Sequence, residues 1–232
     1  VKAGIIAAGL GERFRDAGIT TPKPLIRVGG KTLIGRAIES AVAAGAEAVA
    51  LIVNAEFPEV ARYVREERWP VPIELTVRTT PNSMESFFAL APSLGDSPFL
   101  LTTVDAITAK GTLAALARAG LAAGPTGTLA VTSFVDDEKP LWVRLDARAK
   151  IVALGAEGEG SGLVTSGAYF FFPDAYDHLA EARRQELAAF RGFLGLLLKQ
   201  GASLFGFQAG TSVDVDRPED VAVAERFLEA NG

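Results

Sequence analysis

Short apolar runs rich in β-branched and aromatic residues alternate along this chain with longer alanine- and leucine-rich stretches of helical spacing. That alternation limits the fold more than any other feature, because strands separated by helices of this length pair in parallel and need the helices as crossovers on the sheet faces. Strands are expected at Lys2–Ala8, Glu47–Val53, Ile73–Val77, Pro98–Thr103, Gly127–Phe134, Trp142–Asp146, Gly167–Phe172 and Ser203–Phe207. Helices are expected at Thr32–Ala44, Pro58–Arg68, Ser83–Leu94, Ala109–Ala122, Glu186–Lys199 and Arg217–Ala230. Asn82 followed by Glu85, and Asp216 followed by Glu219, read as capping-box starts for two of these helices. Residues 1–103 run strictly strand then helix, whereas Gly127 to Phe172 is nearly all strand, so a parallel half should be followed by a more antiparallel one. The expected architecture is α/β, with a mixed, mostly parallel central sheet between two helix layers in a single domain over residues 1–232.

Composition narrows the chemistry. With 232 residues, 49% of them hydrophobic and 22% charged, the chain can bury a full core. Glycine and proline are spread rather than pooled, which marks no linker. The net charge of −5, with both signs interspersed, offers a polyanion no attracting field, so nucleic acid is not an expected partner. No apolar run approaches the roughly 18 residues of a membrane span and no leader is evident, so no membrane association and a cytoplasmic location are expected. Zero cysteines and a single histidine exclude disulfides, thiolate chemistry and histidine-rich metal clusters. Catalysis by such a chain must use carboxylates, Lys, Arg and hydroxyls.

The first strand runs into Ala7-Ala8-Gly9-Leu10-Gly11-Glu12-Arg13, where small residues at a strand's C-terminal end allow a ligand close to the backbone. A nucleotide is the natural expectation. A dinucleotide fingerprint would need glycine at position 14, where Phe14 stands, and an acid where the second strand ends at Asn54. Gly30-Lys31-Thr32 imitates the end of a P-loop, but the leading glycine position holds Leu25, and Gly29-Gly30 reads as a tight turn before a helix. Arg13 and Lys23 remain. The prolines at 22 and 24 should hold Lys23 in an extended backbone with a defined direction, and two such cations could neutralise charge on departing pyrophosphate.

With Ile6-Ala7-Ala8-Gly9-Leu10-Gly11-Glu12-Arg13, then Pro22-Lys23-Pro24-Leu25, then Gly30-Lys31-Thr32-Leu33, the chain resembles the sugar-phosphate nucleotidyltransferase superfamily. The C-terminal Asp214-Val215-Asp216-Arg217-Pro218-Glu219-Asp220 is similar to the ending of cytidylyltransferase-like branches that act on polyol or choline phosphate. The resemblance implies a three-layer α/β/α Rossmann-like nucleotidyltransferase fold, with residues 1–103 forming the nucleotide half and 104–232 the acceptor and metal half. It also implies that the backbone from Ala7 to Glu12 surrounds the nucleotide, that Arg13 and Lys23 act on its phosphates, that the loop and helix start bearing Asn82, Ser83 and Ser86 read the base, and that Gly167 lets the acceptor lie against the chain.

Phosphoryl transfer by positioning calls for Mg2+, which takes one or two carboxylates and completes its shell with water and phosphate oxygens. Asp105 follows a strand end and is the first expected ligand, although Val104 stands where the family has glycine. Asp214 and Asp216 alternate on an extended segment and face one way, so either could be the second, Asp216 first and Asp214 next. Asp216 is also expected as N-cap of the last helix. Trp142 and Arg144 share a strand face without a clear task, and His178 reads as a lone surface imidazole. The expected partners are a nucleoside triphosphate and a small phosphorylated acceptor: a sugar 1-phosphate, or inositol phosphate or phosphocholine. A nucleotide-binding regulatory module without turnover is the alternative of another class.

Overall fold

The computed structural model of the chain describes residues 1–134 and 140–231. Its elements, in chain order, are β1 (Lys2–Ala7), α1 (Glu12–Asp16), β2 (Arg27–Val28), β3 (Lys31–Thr32), α2 (Leu33–Ala43), β4 (Ala48–Val53), α3 (Pro58–Glu66), β5 (Ile73–Val77), α4 (Ser83–Leu94), β6 (Phe99–Thr103) and β7 (Ala106–Thr108). They continue with α5 (Thr112–Ala123), β8 (Gly127–Thr132), β9 (Val143–Leu145), β10 (Ile151–Leu154), β11 (Val164–Phe171), α6 (Leu179–Arg184), α7 (Phe190–Lys199), β12 (Leu204–Gln208), β13 (Ser212–Asp214) and α8 (Pro218–Asn231). Seven strands form one sheet in the order β12-β8-β11-β6-β1-β4-β5. β11 is antiparallel to both neighbours, and the other pairs are parallel. The expected mixed, mostly parallel sheet is therefore present, with the strands of residues 1–103 together on one side (β6-β1-β4-β5) and those of residues 104–232 together on the other (β12-β8-β11).

The strand period allots side chains to two cores. Ile5 and Phe170 join a cluster with α2, α3, α5 and α8, while Ile6 and Phe171, one residue on, join a cluster with α4, α6 and α7. In the second cluster Phe87, Phe99, Phe171, Phe190 and Phe193 meet with ring centroids 4.9–6.5 Å apart. Each buried phenylalanine contributes on the order of 1.5–3 kcal/mol through the area it removes from water. Three layers follow from this allotment, and the connections leave β1 towards β4 on one side while β6 lies on the other. The C-terminal end of β1 is thus a topological switch point, where open α/β sheets leave a crevice.

The structure departs from the sequence expectation in several places. Trp142–Asp146 does not enter the central sheet: β9 pairs with β10 in a separate antiparallel ribbon. The strand expected to reach Phe134 stops at Thr132, whose hydroxyl accepts the Phe134 N–H at 3.0 Å and turns the chain; residues 135–139 lie outside the described residues. The helix expected from Glu186 starts at Phe190, because Glu186 takes a left-handed φ of 50° that closes α6 instead. Gly29 and Gly30, with φ of 54° and 80°, make the two-residue turn between β2 and β3, and Thr32 caps α2 by accepting the Gly35 N–H at 3.1 Å. Among the described residues no helix is long and apolar enough to cross a membrane.

Candidate active site

The glycine loop leaves β1 at Ala7 and enters α1 through Gly11, whose φ of 63° suits a residue without a side chain. A Cβ at Gly11 would also lie 2.9 Å from Lys23 Cβ, so this glycine is required twice, by conformation and by close approach. Phe14, the residue that broke the dinucleotide pattern, is 1% exposed and pins the loop to the first core. Lys23 does not lie in extended backbone as expected. It opens a single 3-10 turn, Lys23–Leu25, in which Pro24 tolerates its missing N–H and Leu25 donates to the Pro22 carbonyl at 2.8 Å. The prolines still give the side chain one direction, by means of a tight turn.

That direction leads between two carboxylates. Lys23 Nζ donates to Asp105 Oδ2 and to Asp216 Oδ1, each at 2.6 Å, and Arg13 Nη1 lies 3.2 Å from the other Asp216 oxygen. Burial alone would pull the Lys23 ammonium down, but Asp105 and Asp216 outweigh it and hold its pKa above the ordinary lysine value. Burial would likewise raise Asp105, yet Lys23 dominates and keeps that carboxyl below its usual range. Lys23 and Asp105 are therefore both charged at neutral pH.

Asp216 arrives from the far end of the chain by strand pairing. β13 pairs antiparallel with β7, setting Asp214 against Ala106, and the Val215 N–H donates to the Asp105 carbonyl at 3.1 Å. Val213 and Val215 are buried, so Asp214 and Asp216 face outward together, as the spacing predicted. The expected capping role of Asp216 is corrected. Its two oxygens go to Lys23 and Arg13, and Asp220 does the capping work by accepting the Asp216 and Arg217 N–H groups at 2.8 and 2.7 Å.

A cavity of about 560 Å³ opens above this cluster. Its walls include every residue expected from sequence to contact a nucleotide, namely Ala7, Ala8, Gly9, Leu10, Gly11 and Glu12 on one side and Asn82, Ser83 and Ser86 on the other, with Arg13, Lys23, Asp105 and Asp216 between them. A Cβ on Gly9 would meet nothing within 4 Å, so the room beside it belongs to the cavity. The polar residues opposite also hold structure. Asn82 Oδ1 caps α4 through the Glu85 N–H at 2.9 Å, Ser83 Oγ accepts the Phe190 N–H at 3.0 Å, and Ser86 Oγ lies 2.6 Å from Thr80 Oγ1.

A second cavity of about 190 Å³ shares Ser83, Asp105 and Asp216 with the first and extends to Gly167, Tyr169, Arg191 and Asp214. Gly167 sits with φ of 72° where the β11–β8 register shifts, and a Cβ there would come within 3.0 Å of Thr103 Oγ1. Burial, with Asp214 adding to it, pushes the Tyr169 phenol up to about 12, so it is a neutral hydroxyl at neutral pH. Tyr169 and Arg191 were not nominated from sequence. Tyr169 could have been found from its position two residues beyond Gly167 on the same strand face, whereas Arg191 depends on where α7 begins.

Asp214 lines this smaller cavity and not the larger one, while Asp216 lines both. Asp105 and Asp216 present oxygens that already share one cation, and hard carboxylate donors of this kind fit magnesium. Among the described residues no group of three or more His, Asp or Glu forms a metal cage. Val104, in the place of the family's glycine, is buried and donates its N–H to the Ile6 carbonyl at 3.1 Å, which extends the β1–β6 pairing up to Asp105. Trp142 bridges to Val164, and neither it nor Arg144 lines the two cavities. His178 is half-buried and hydrogen-bonded through Nδ1 to Gln200.

Fold and site lead to one family: residues 3–186 match the MobA-like NTP transferase domain, and the chain belongs to that family. Among curated proteins, it is 37% identical over 113 residues to the mannose-1-phosphate guanyltransferase of Emericella nidulans, covering 46% of this chain and 31% of that protein. The chain thus spans about a third of the length of the fungal relatives it matches. It is 30% identical over 174 residues to the 2-aminoethylphosphonate cytidylyltransferase of Lancefieldella rimae, covering 74% of this chain and 67% of that one. Among solved structures, UDP-glucose pyrophosphorylase complexed with UDP-glucose superimposes with a TM-score of 0.81 at 18% identity, covering 97% of each chain. The inositol-1-phosphate CTP transferase from T. maritima superimposes with a TM-score of 0.77 at 18% identity, covering 98% of this chain and 97% of that one. These structures establish the shared fold, and the resemblance read from the glycine loop agrees with all of these findings.

Proposed function

We propose that the chain transfers a nucleoside monophosphate from a nucleoside triphosphate to a small phosphorylated acceptor and releases pyrophosphate. The observation that carries this reading is the meeting of two cavities, about 560 and 190 Å³, at the Lys23–Asp105–Asp216 cluster. One cavity has the size and glycine-lined wall for a nucleotide and the other the size for a compact acceptor, so the reacting groups would meet over the charged residues. The acceptor's phosphate oxygen attacks the α-phosphorus in line, the bond from that phosphorus to the oxygen bridging to the β-phosphate breaks, and pyrophosphate departs. A phosphate monoester with a second pKa of roughly 6 is already ionised at neutral pH, so the attack needs no general base. Arg13 and Lys23 neutralise the charge that grows on pyrophosphate, and the loop amides from Ala8 to Gly11 orient the triphosphate.

Asp105 and Asp216 would hold Mg2+, which when bound supplies a Lewis acid for the phosphate oxygens. Support comes from the donor set: two carboxylates on a shared centre, leaving the remaining positions to water and substrate. Asp214, facing the smaller cavity, is assigned to the acceptor side. A sugar 1-phosphate is the first acceptor class, in line with the name of the guanyltransferase relative. The 190 Å³ size of the acceptor cavity, together with the longer match to a cytidylyltransferase of 2-aminoethylphosphonate, favours a second reading in which the acceptor is smaller than a hexose phosphate, such as a polyol or amino-alcohol phosphate. Use of nucleoside triphosphates fits a cytoplasmic location, and one seven-stranded sheet that takes strands from both parts of the chain supports residues 1–232 acting as one domain. The test is pyrophosphate release from a matrix of ATP, CTP, GTP, UTP and dTTP against glucose 1-phosphate, mannose 1-phosphate, inositol 1-phosphate, phosphocholine and 2-aminoethylphosphonate, with and without magnesium. Release in no well of the matrix, with triphosphate binding intact, would leave the regulatory-module alternative in its place.

A further inference from the structure

Asn54 directly follows β4, is 2% exposed, and lines neither cavity, yet its carboxamide reaches three segments. Its Nδ2 donates to the Ala8 carbonyl at 3.1 Å, and its Oδ1 accepts the Glu56 N–H at 2.9 Å and the Thr79 hydroxyl at 2.8 Å. A carbonyl can only accept and a backbone N–H can only donate, so these partners fix which end of the amide points where. An asparagine that merely turns the chain after a strand would need only the bond to Glu56. The other two run to residues 46 and 25 positions away.

Ala8 lines one wall of the larger cavity, and Thr79 directly precedes Thr80, Pro81 and Asn82, which line the other. Ala8 opens the glycine loop. Thr79 leads into Thr80-Pro81-Asn82, where the hydroxyls of Thr80 and Ser86 lie 2.6 Å apart and Ser86 donates to the Asn82 carbonyl at 3.1 Å. A single buried side chain therefore spans the two walls from behind.

We infer that Asn54 is a positioning residue that, through Ala8 and Thr79, sets the spacing between the glycine loop and the Thr80–Asn82 wall, and so governs how the nucleoside end of the triphosphate is gripped and which base is preferred. This rests on the reading of the larger cavity as the triphosphate site. Asn54→Asp is nearly isosteric and keeps the acceptor oxygen for Thr79 and Glu56, but it replaces the donor facing the Ala8 carbonyl with a second oxygen. Thr79→Val, at an exposed residue, removes the other tie alone.

The experiment is calorimetric titration of wild type and both variants with ATP, CTP, GTP, UTP and inorganic tripolyphosphate. For Asn54→Asp, affinity for the preferred triphosphate falls by about tenfold, the scale of one lost buried hydrogen bond. Thr79→Val gives a smaller loss, the preference among bases narrows in both variants, and tripolyphosphate binding changes by less than about twofold because only the nucleoside end depends on the spacing. An equal loss for tripolyphosphate would mean general loosening and would overturn the inference, as would unchanged base preference in both variants. Should Asn54→Asp fail to fold, Thr79→Val decides alone. If wild type binds tripolyphosphate but none of the four nucleotides, or nothing at all, the triphosphate reading itself fails and takes this inference with it.

Discussion

Lys23 is the counter-ion of two aspartates, and its loss leaves Asp105 facing Asp216 with no charge between them. Under the proposed reaction, Lys23→Ala should lower pyrophosphate release by about 10²–10³, the usual effect of removing one pre-organised group from a developing negative charge. Gly11→Ala should imitate it from outside the charged cluster. The added methyl meets Lys23 Cβ at 2.9 Å and forces a left-handed backbone that costs about 1–2 kcal/mol. Lower melting temperature together with a Lys23-like loss of turnover is the expected result, and full activity would show that the lysine's position is not demanding. At this scale the sequence was informative where chemistry and spacing coincide, as at Arg13, Lys23, Asp105 and Asp216. It was uninformative where a residue's importance depends on who faces it. Tyr169 matters because β11 runs antiparallel into the site, and Asn54 looked only like the wrong residue for a ribose until three strand ends met around its amide.

The element that completes the site is the β7–β13 pair, with α8 immediately behind it. Asp220 secures that junction by accepting the N–H groups of Asp216 and Arg217. Asp220→Ala should cost about 1 kcal/mol of stability, the ordinary worth of a helix cap. Its effect on turnover should exceed that figure, because the Asp216 backbone is one of the two groups released; denaturant melts and pyrophosphate assays on one preparation separate the two. The last helix also shows how a correct motif can be assigned to the wrong residue. Asp216 with Glu219 satisfied the capping spacing, but Pro218 is the first helical residue, which shifts the frame by one and gives the work to Asp220. Asn82 raised no such ambiguity and caps α4 as read. Short strands such as β7 and β13 escaped because a three-residue run carries no periodicity, and they exist through their pairing with each other.

For the molecule as a whole, the division of the sheet's faces between two cores leaves little slack at the strand–helix contacts. Gly120 on α5 lies so close to Phe170 that a methyl there would fall within the ring's envelope. Gly120→Ala should therefore cost about 1–3 kcal/mol through overpacking while leaving turnover unchanged well below the melting temperature. A drop in activity without a drop in stability would contradict the separation of core from site. The layer order was legible from the alternation of strand and helix, since that pattern admits few arrangements. The switch from parallel to antiparallel at β11 was visible only as a strand-rich stretch, because direction depends on connections that periodicity does not record.

The Lys23–Asp216 contact joins residues 193 positions apart. A ligand seated on both would act as a clasp between an early segment and a late one, so opening the clasp would require nearly the whole chain to come apart. Slowed exchange of backbone amides should then spread into strands remote from the ligand, as occupancy of the crevice tightens the entire fold.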